Sequence, residues 1–144
     1  MGKVIGQSGL SLIKQYEGLK LKAYLCPAGV PTIGYGHTKT AYLGQVINEA
    51  QADSLLRSDL KWAESAVNRY VKVLITQNQF DALVSFVFNV GERAFRGSTL
   101  LKRLNSMKFD EVPAQLMRWN KAGGRVLSGL ARRRQSEAEL FMRH

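Results

Sequence analysis

The chain has 144 residues, the size of one domain that buries roughly 70% of its unfolded surface. Its one cysteine excludes an internal disulfide. A net charge of +10 comes from 21 basic and 11 acidic residues and is lopsided: residues 1–95 carry 10 basic and 7 acidic side chains, residues 96–144 carry 11 and 4. Such an excess serves solubility alone or a polyanionic partner such as nucleic acid, an anionic membrane or an acidic cell wall.

The start, MGKVIGQSG, lacks the charged-then-apolar layout of a secretory signal. The longest apolar runs, at 73–75 and 86–90, are far too short to span a bilayer. With an isolated thiol, this leads us to expect a product held in the cytoplasm of the cell that makes it.

Residues 8–17 (SGLSLIKQYE) fit a short amphipathic helix with Leu10, Ile13 and Tyr16 on one side, Ser8 as N-cap and Gly18 at the left-handed C-cap. Residues 19–25 and 31–36 carry strand patterns, turned by Pro27 and Gly29, and a third short strand is expected over 40–43. Asn48 with Gln51 makes a capping-box pattern, and helical spacing from Leu55 to Val67 predicts one helix over 48–70. Thr76 with Gln79 repeats that signal before QFDALVSFVFNVG, a segment apolar nearly all round and so buried on every side, ending at Gly91. Further helices are expected over 98–105, 110–119 (capped by Asp110, with Pro113 in its first turn) and 129–142, with AGG at 122–124 breaking the chain. The whole reads as a mostly helical α+β domain in two lobes: a small antiparallel sheet lobe at about 18–47, a connecting helix, and a helical lobe at about 71–144 with the N-terminal helix.

The stretch that carries chemistry is YEGLKLKAYLCPAGVPTIGYGHT at 16–38. Glycoside cleavage usually needs a carboxylic acid to protonate the leaving oxygen and a second group on the opposite face of the sugar. Glu17 lies in the last turn of the first helix, where exposed carbonyls disfavour its negative charge. Glu17, Cys26 and Thr32 are separated by eight and five residues. That spacing resembles the Glu, Asp-or-Cys, Thr pattern of the phage-type lysozymes, which cut the sugar backbone of bacterial cell walls. TIGYGHT at 32–38, QFDALVSFVFNVG at 79–91, STLLKRLN at 98–105 and RWNKAGGRVLSGLARRR at 118–134 are also similar to that family's segments and keep their order.

The resemblance implies the lysozyme-like fold, with the glycan held between a sheet lobe and a helical lobe. It implies Glu17 as general acid, Cys26 as the group opposite it and Thr32 as an aide holding the attacking water. Three readings of Cys26 stay open: a base or nucleophile with a lowered pKa, a water-orienting group, or a small buried hydrophobe. The spacing favours the first. Gly34 and Gly36 lack Cβ, so a sugar ring could lie close to the strand there, with Tyr24 and Tyr35 offering faces and hydroxyls. By resemblance Phe88 and Asn89 are expected to line the glycan, with plain core packing the competing and favoured reading for Phe88. His37 is expected in a structural pair with Asp59 rather than on a metal, since no Cys/His/Asp cluster accompanies it. Arg132, Arg133 and Arg134 must point in three directions on a helix, and one of them could reach Glu17.

The expected activity is that of an endolysin, a muramidase hydrolysing the bonds between N-acetylmuramic acid and N-acetylglucosamine and lysing a phage-infected cell. The alternatives are a lytic transglycosylase using Glu17 alone and a non-catalytic wall-binding module. No cofactor and no metal are expected. Neither zinc-finger spacing nor an RNA-binding aromatic signature occurs, so peptidoglycan, not nucleic acid, is the expected partner. The chain is expected to be a monomer, with the basic last helix a candidate for contact with an anionic outer-membrane surface. Release to the periplasm is assigned to a separate membrane-permeabilising protein.

Overall fold

A computed structural model describes residues 2–144. The chain is helix-rich, with two small antiparallel sheets. Its contacts divide it into two compact units, one formed by the residues up to Ile13 together with Trp62–His144, the other by Lys14–Lys61. No helix among the described residues is long and apolar enough to cross a membrane.

In the larger unit, α4 (Gln77–Val90) is the core helix, and all residues from Phe80 to Val87 are buried. The Thr76–Gln79 capping box opens it, and Gly91, at φ +99°, receives the chain as it leaves the helix. Around it run α3 (Lys61–Tyr70), α5 (Glu92–Arg96), α6 (Thr99–Asn105), α7 (Val112–Met117) and α8 (Ser128–Met142). Phe80, Phe86, Phe95, Leu100, Leu104, Leu116 and Phe141 fill the core. Phe86 meets Phe95 and Trp119 edge to face, with centroids at 6.4 and 5.5 Å.

The first helix, α1 (Gln7–Glu17), begins a residue before Ser8, which therefore does not cap it. The cap comes instead from Asp81 on α4, whose carboxylate accepts from the N–H groups of Gly6 (2.9 Å) and Gly9 (3.1 Å). A Cβ on Gly9 would stand 2.7 Å from that of Asp81, so the close approach needs glycine.

Asp110 also does not cap a helix. It lies in a 3-10 turn (Phe109–Glu111), and α7 follows with Pro113 in its first turn as expected. The AGG segment makes a hairpin, β3 (Lys121–Ala122) to β4 (Arg125–Val126), through Gly123 and Gly124. Both glycines have positive φ, the geometry of a two-residue hairpin turn.

The smaller unit holds β1 (Lys20–Leu25), β2 (Pro31–Gly34) and α2 (Glu49–Asp59). The strands pair Tyr24 with Thr32 and Leu25 with Pro31, and the register shifts between Tyr24 and Lys20. Ala23, Ile33, Ile47 and Ala52 form the core, with Leu19, Tyr35, Ala41 and Leu55 packed against it. The third strand expected over 40–43 is absent, because the chain there turns to wrap His37. Its place beside β1 is taken by residues 45–47: Val46 lies opposite Lys22, the Ala23 N–H donates to the Gln45 carbonyl and the Ile47 N–H to that of Leu21.

The Asn48–Gln51 capping box forms as expected at the start of α2. The single helix expected over 48–70 is broken, however. Leu60, at φ −80° and ψ −12°, closes α2 before α3 begins at Lys61. That ψ is well short of the usual helical value, so the hydrogen-bond ladder tightens there.

Candidate active site

The smaller unit brings Glu17, Cys26, Thr32, Tyr24, Tyr35, Gly34, Gly36, His37 and Asp59 together. Glu17 is the last residue of α1. Gly18 leaves the helix at φ +74°, and its N–H donates to the Lys14 carbonyl at 3.0 Å, the left-handed cap expected of it. Glu17 is half-buried, and its Oε1 lies 3.5 Å from the point where a Cβ on Gly36 would stand. The carboxyl of the helix end therefore rests beside the backbone of the loop after β2. Gly36 holds φ +85°, a backbone conformation that strains any side chain there, although a Cβ would meet Glu17 only at ordinary contact distance.

Cys26 opens a tight turn. The Gly29 N–H donates to its carbonyl at 2.8 Å, and its own N–H donates to the Val30 carbonyl at 3.0 Å. Pro27 in the second position and Gly29 in the fourth suit such a turn. The thiol is held below its ordinary pKa, first by the backbone of Val30 and then of Ala28, with a smaller contribution from the Thr32 hydroxyl. Thr32 is buried, sits opposite Tyr24 and donates its hydroxyl proton to the Val30 carbonyl at 2.9 Å. A partly accessible thiol biased toward thiolate is the state in which cysteine acts as base or nucleophile.

His37 is the brace of this loop. Its N–H and carbonyl pair with those of Ile33 at 2.8 and 2.9 Å. Its Nδ1 meets Asp59 Oδ2 at 2.8 Å, the pair expected from sequence. The Thr40 N–H donates to Nε2 at 3.2 Å, so Nε2 accepts and the proton sits on Nδ1, given to Asp59. The ring thereby fixes the Gly34–Gly36 loop to α2.

Gly34 is placed differently from the expectation of a sugar-facing glycine. It is buried, and a Cβ on it would lie 3.5 Å from Ala52 and Ile47, so its open side serves the packing of β2 on α2. Tyr24 is partly exposed. The Tyr35 ring is half-buried under the Lys14 ammonium, 5.5 Å from the ring centroid. Lys14 also pairs with Asp53 at 2.6 Å, and with Arg57 it draws the Asp53 carboxyl below its usual range.

Phe88, Asn89, Arg132 and Arg133 belong to the larger unit. Phe88 is half-buried and Asn89 exposed at the end of α4. The three arginines do point apart: Arg132 is exposed, while Arg133 and Arg134 are buried. Both buried guanidiniums meet Glu137, which also accepts from the Ser85 hydroxyl at 2.6 Å. Arg134 lies over the Phe86 ring, 5.0 Å from its centroid.

Desolvation pushes Glu137 up, and the guanidiniums of Arg134 and Arg133 and the Ser85 hydroxyl only partly oppose it. Glu137, on the helix read from sequence as basic, is thus the buried centre of an ionic cluster. Two of the last helix's arginines therefore face inward, which removes them from the basic face that a membrane contact would use. A carboxylate three and four residues after two arginines was the available signal.

The phage lysozyme family model matches residues 14–137. The endolysin of Acyrthosiphon pisum secondary endosymbiont phage 1 is 50% identical over 95% of this chain and 97% of its own length. Against the endolysin of Bacillus phage B103 the identity is 46%, over 96% of this chain and 54% of that one. Among solved structures, the muramidase domain of SpmX from Asticaccaulis excentricus matches with a TM-score of 0.92 and 43% identity over the whole of both chains. With coverage this complete, and with the helix end, hairpin and buried histidine arranged as described, the chain belongs to the phage lysozyme family.

Proposed function

We propose that the chain is an endolysin that hydrolyses the glycosidic bonds between N-acetylmuramic acid and N-acetylglucosamine in bacterial peptidoglycan. The observation that carries the reading is the placement of a half-buried carboxyl, Glu17, against the Gly36 backbone, in one unit with a thiol biased toward thiolate. Glu17 supplies the proton that the leaving sugar oxygen takes as its bond to C1 breaks. Cys26, as thiolate, takes the proton of the water whose oxygen bonds to C1, and Thr32 orients that water. Proton return from Cys26 to solvent and from solvent to Glu17 completes the cycle. Gly36 and Tyr24 offer the approach for the sugar, whereas Gly34 packs the loop from behind.

Digestion of purified sacculi in 18O-labelled water tests the reaction class. Reducing muramic acid ends carrying one label are expected. Unlabelled anhydro-sugar ends would replace hydrolysis by transglycosylation, and pelleting with sacculi without any release of sugar would leave a binding module.

A further inference from the structure

Within the smaller unit, Lys14 stands three residues before Glu17 on α1, so the two side chains are neighbours on the helix surface. The Lys14 ammonium has two partners, neither of them on that helix. One is the Asp53 carboxylate of α2, at 2.6 Å. The other is the face of the Tyr35 ring, 5.5 Å from its centroid. Tyr35 itself packs against the core of Ala23, Ile33, Ile47 and Ala52. The next residue in the chain is Gly36, beside whose backbone the Glu17 carboxyl rests. One cation thus holds both surfaces that meet at this carboxyl: the helix that carries it and the loop that receives it. A lone surface ion pair contributes little order, because a lysine stem is long and flexible. A cation partly withdrawn from water, shared between a carboxylate and a ring face on two different elements, fixes more.

We infer that Lys14 is a positioning residue for the general acid, acting through Tyr35 and the Gly36 loop to set the direction in which Glu17 presents its proton. This rests on the hydrolase reading above. Lys14 reaches no reacting atom in this role. Proton donation falls steeply when the acid is misplaced by about 1 Å, whereas the binding of a polysaccharide is spread over many contacts. Loss of the clamp therefore belongs in kcat and not in the half-saturating substrate concentration. Arg57 offers the comparison: it pairs with the same Asp53 carboxylate at 2.7 Å, but that pair joins α2 to itself and ties no second element to it.

The test compares single and double variants of the whole chain on purified sacculi, well below the Tm of each. Lys14→Met keeps an apolar stem and removes the cation. It should lower kcat roughly tenfold, with the half-saturating sacculus concentration within twofold of wild type, and Lys14→Arg should recover most of the rate. Arg57→Met should leave kcat within twofold. Tyr35→Leu should lower kcat by itself, and adding Lys14→Met to it should lower kcat no further. A Lys14→Met protein with kcat within twofold of wild type would overturn the positioning role. So would an Arg57→Met protein that loses as much rate, or equal losses from Lys14→Met with and without the Tyr35 ring. A wild-type chain that leaves sacculi intact would instead overturn the hydrolase reading, and this role with it.

Discussion

At the scale of single residues, the chemistry depends on local backbone geometry more than on distant charge. Cys26 is biased toward thiolate by the backbone of its own turn, chiefly at Val30 and then at Ala28. A lowered thiol pKa means that the reactive form appears at lower pH than for a free cysteine. The rising limb of activity should therefore lie below the usual thiol value of about 8.5. The pH–rate profile of wild type against Cys26→Ser checks this, together with loss of activity on iodoacetamide treatment. An alkylated protein with full activity would remove Cys26 from the reaction. Gly36→Ala should lose most activity while Gly29→Ala loses little. Both positions need positive φ, but the strain at Gly36 is relieved only by shifting the backbone on which the Glu17 carboxyl rests in van der Waals contact, whereas Gly29 has nothing within 4 Å to disturb.

At the scale of elements, what was legible in the sequence is what is decided within four residues. The two capping boxes at Asn48–Gln51 and Thr76–Gln79, the left-handed glycine after α1 and the buried character of α4 all follow from neighbours in the chain. The N-terminus of α1 does not, because its cap is Asp81, 72 residues beyond Gly9. Ser8 carries the right side chain, but Asp81 supplies a charged acceptor to two N–H groups at once. Asp81→Ala should thus cost about 1–3 kcal/mol by urea denaturation, the penalty of leaving buried donors unpaired, while Ser8→Ala should cost less than about 0.5 kcal/mol. The Gly123–Gly124 pair shows a different limit: both a chain break and a hairpin turn use glycine, and the flanking strands are two residues each.

The Lys14–Asp53–Arg57 chain ties the end of α1 to α2. Its Asp53 carboxyl is lowered first by Lys14 and then by Arg57, so it binds protons less tightly folded than unfolded. The stability it adds is present above the unfolded value of about 3.9 and is lost as pH falls through the folded value. Asp53→Asn should flatten that acid limb of the Tm-versus-pH curve.

At the scale of the whole molecule, the net charge of +10 overstates the basic surface, because Arg133 and Arg134 are spent inside on Glu137. Charge counting along the chain could not separate a solvated arginine run from a buried one, since burial is set by Ser85 and Phe86 on a helix about 50 residues earlier. Removal of the central carboxylate leaves two buried guanidiniums uncompensated. Glu137→Ala should therefore destabilise by about 3–5 kcal/mol in chemical denaturation, and Glu137→Gln, which keeps an acceptor for Ser85 and Arg134, by distinctly less.

The most direct measurement is the initial rate of sacculus solubilisation by Glu17→Gln beside wild type, both confirmed folded by equal Tm. A general acid contributes roughly 10²–10⁴-fold, so the account predicts a loss of at least a hundredfold with sacculus binding retained. A Glu17→Gln protein that digests walls within a few-fold of the wild-type rate would contradict it.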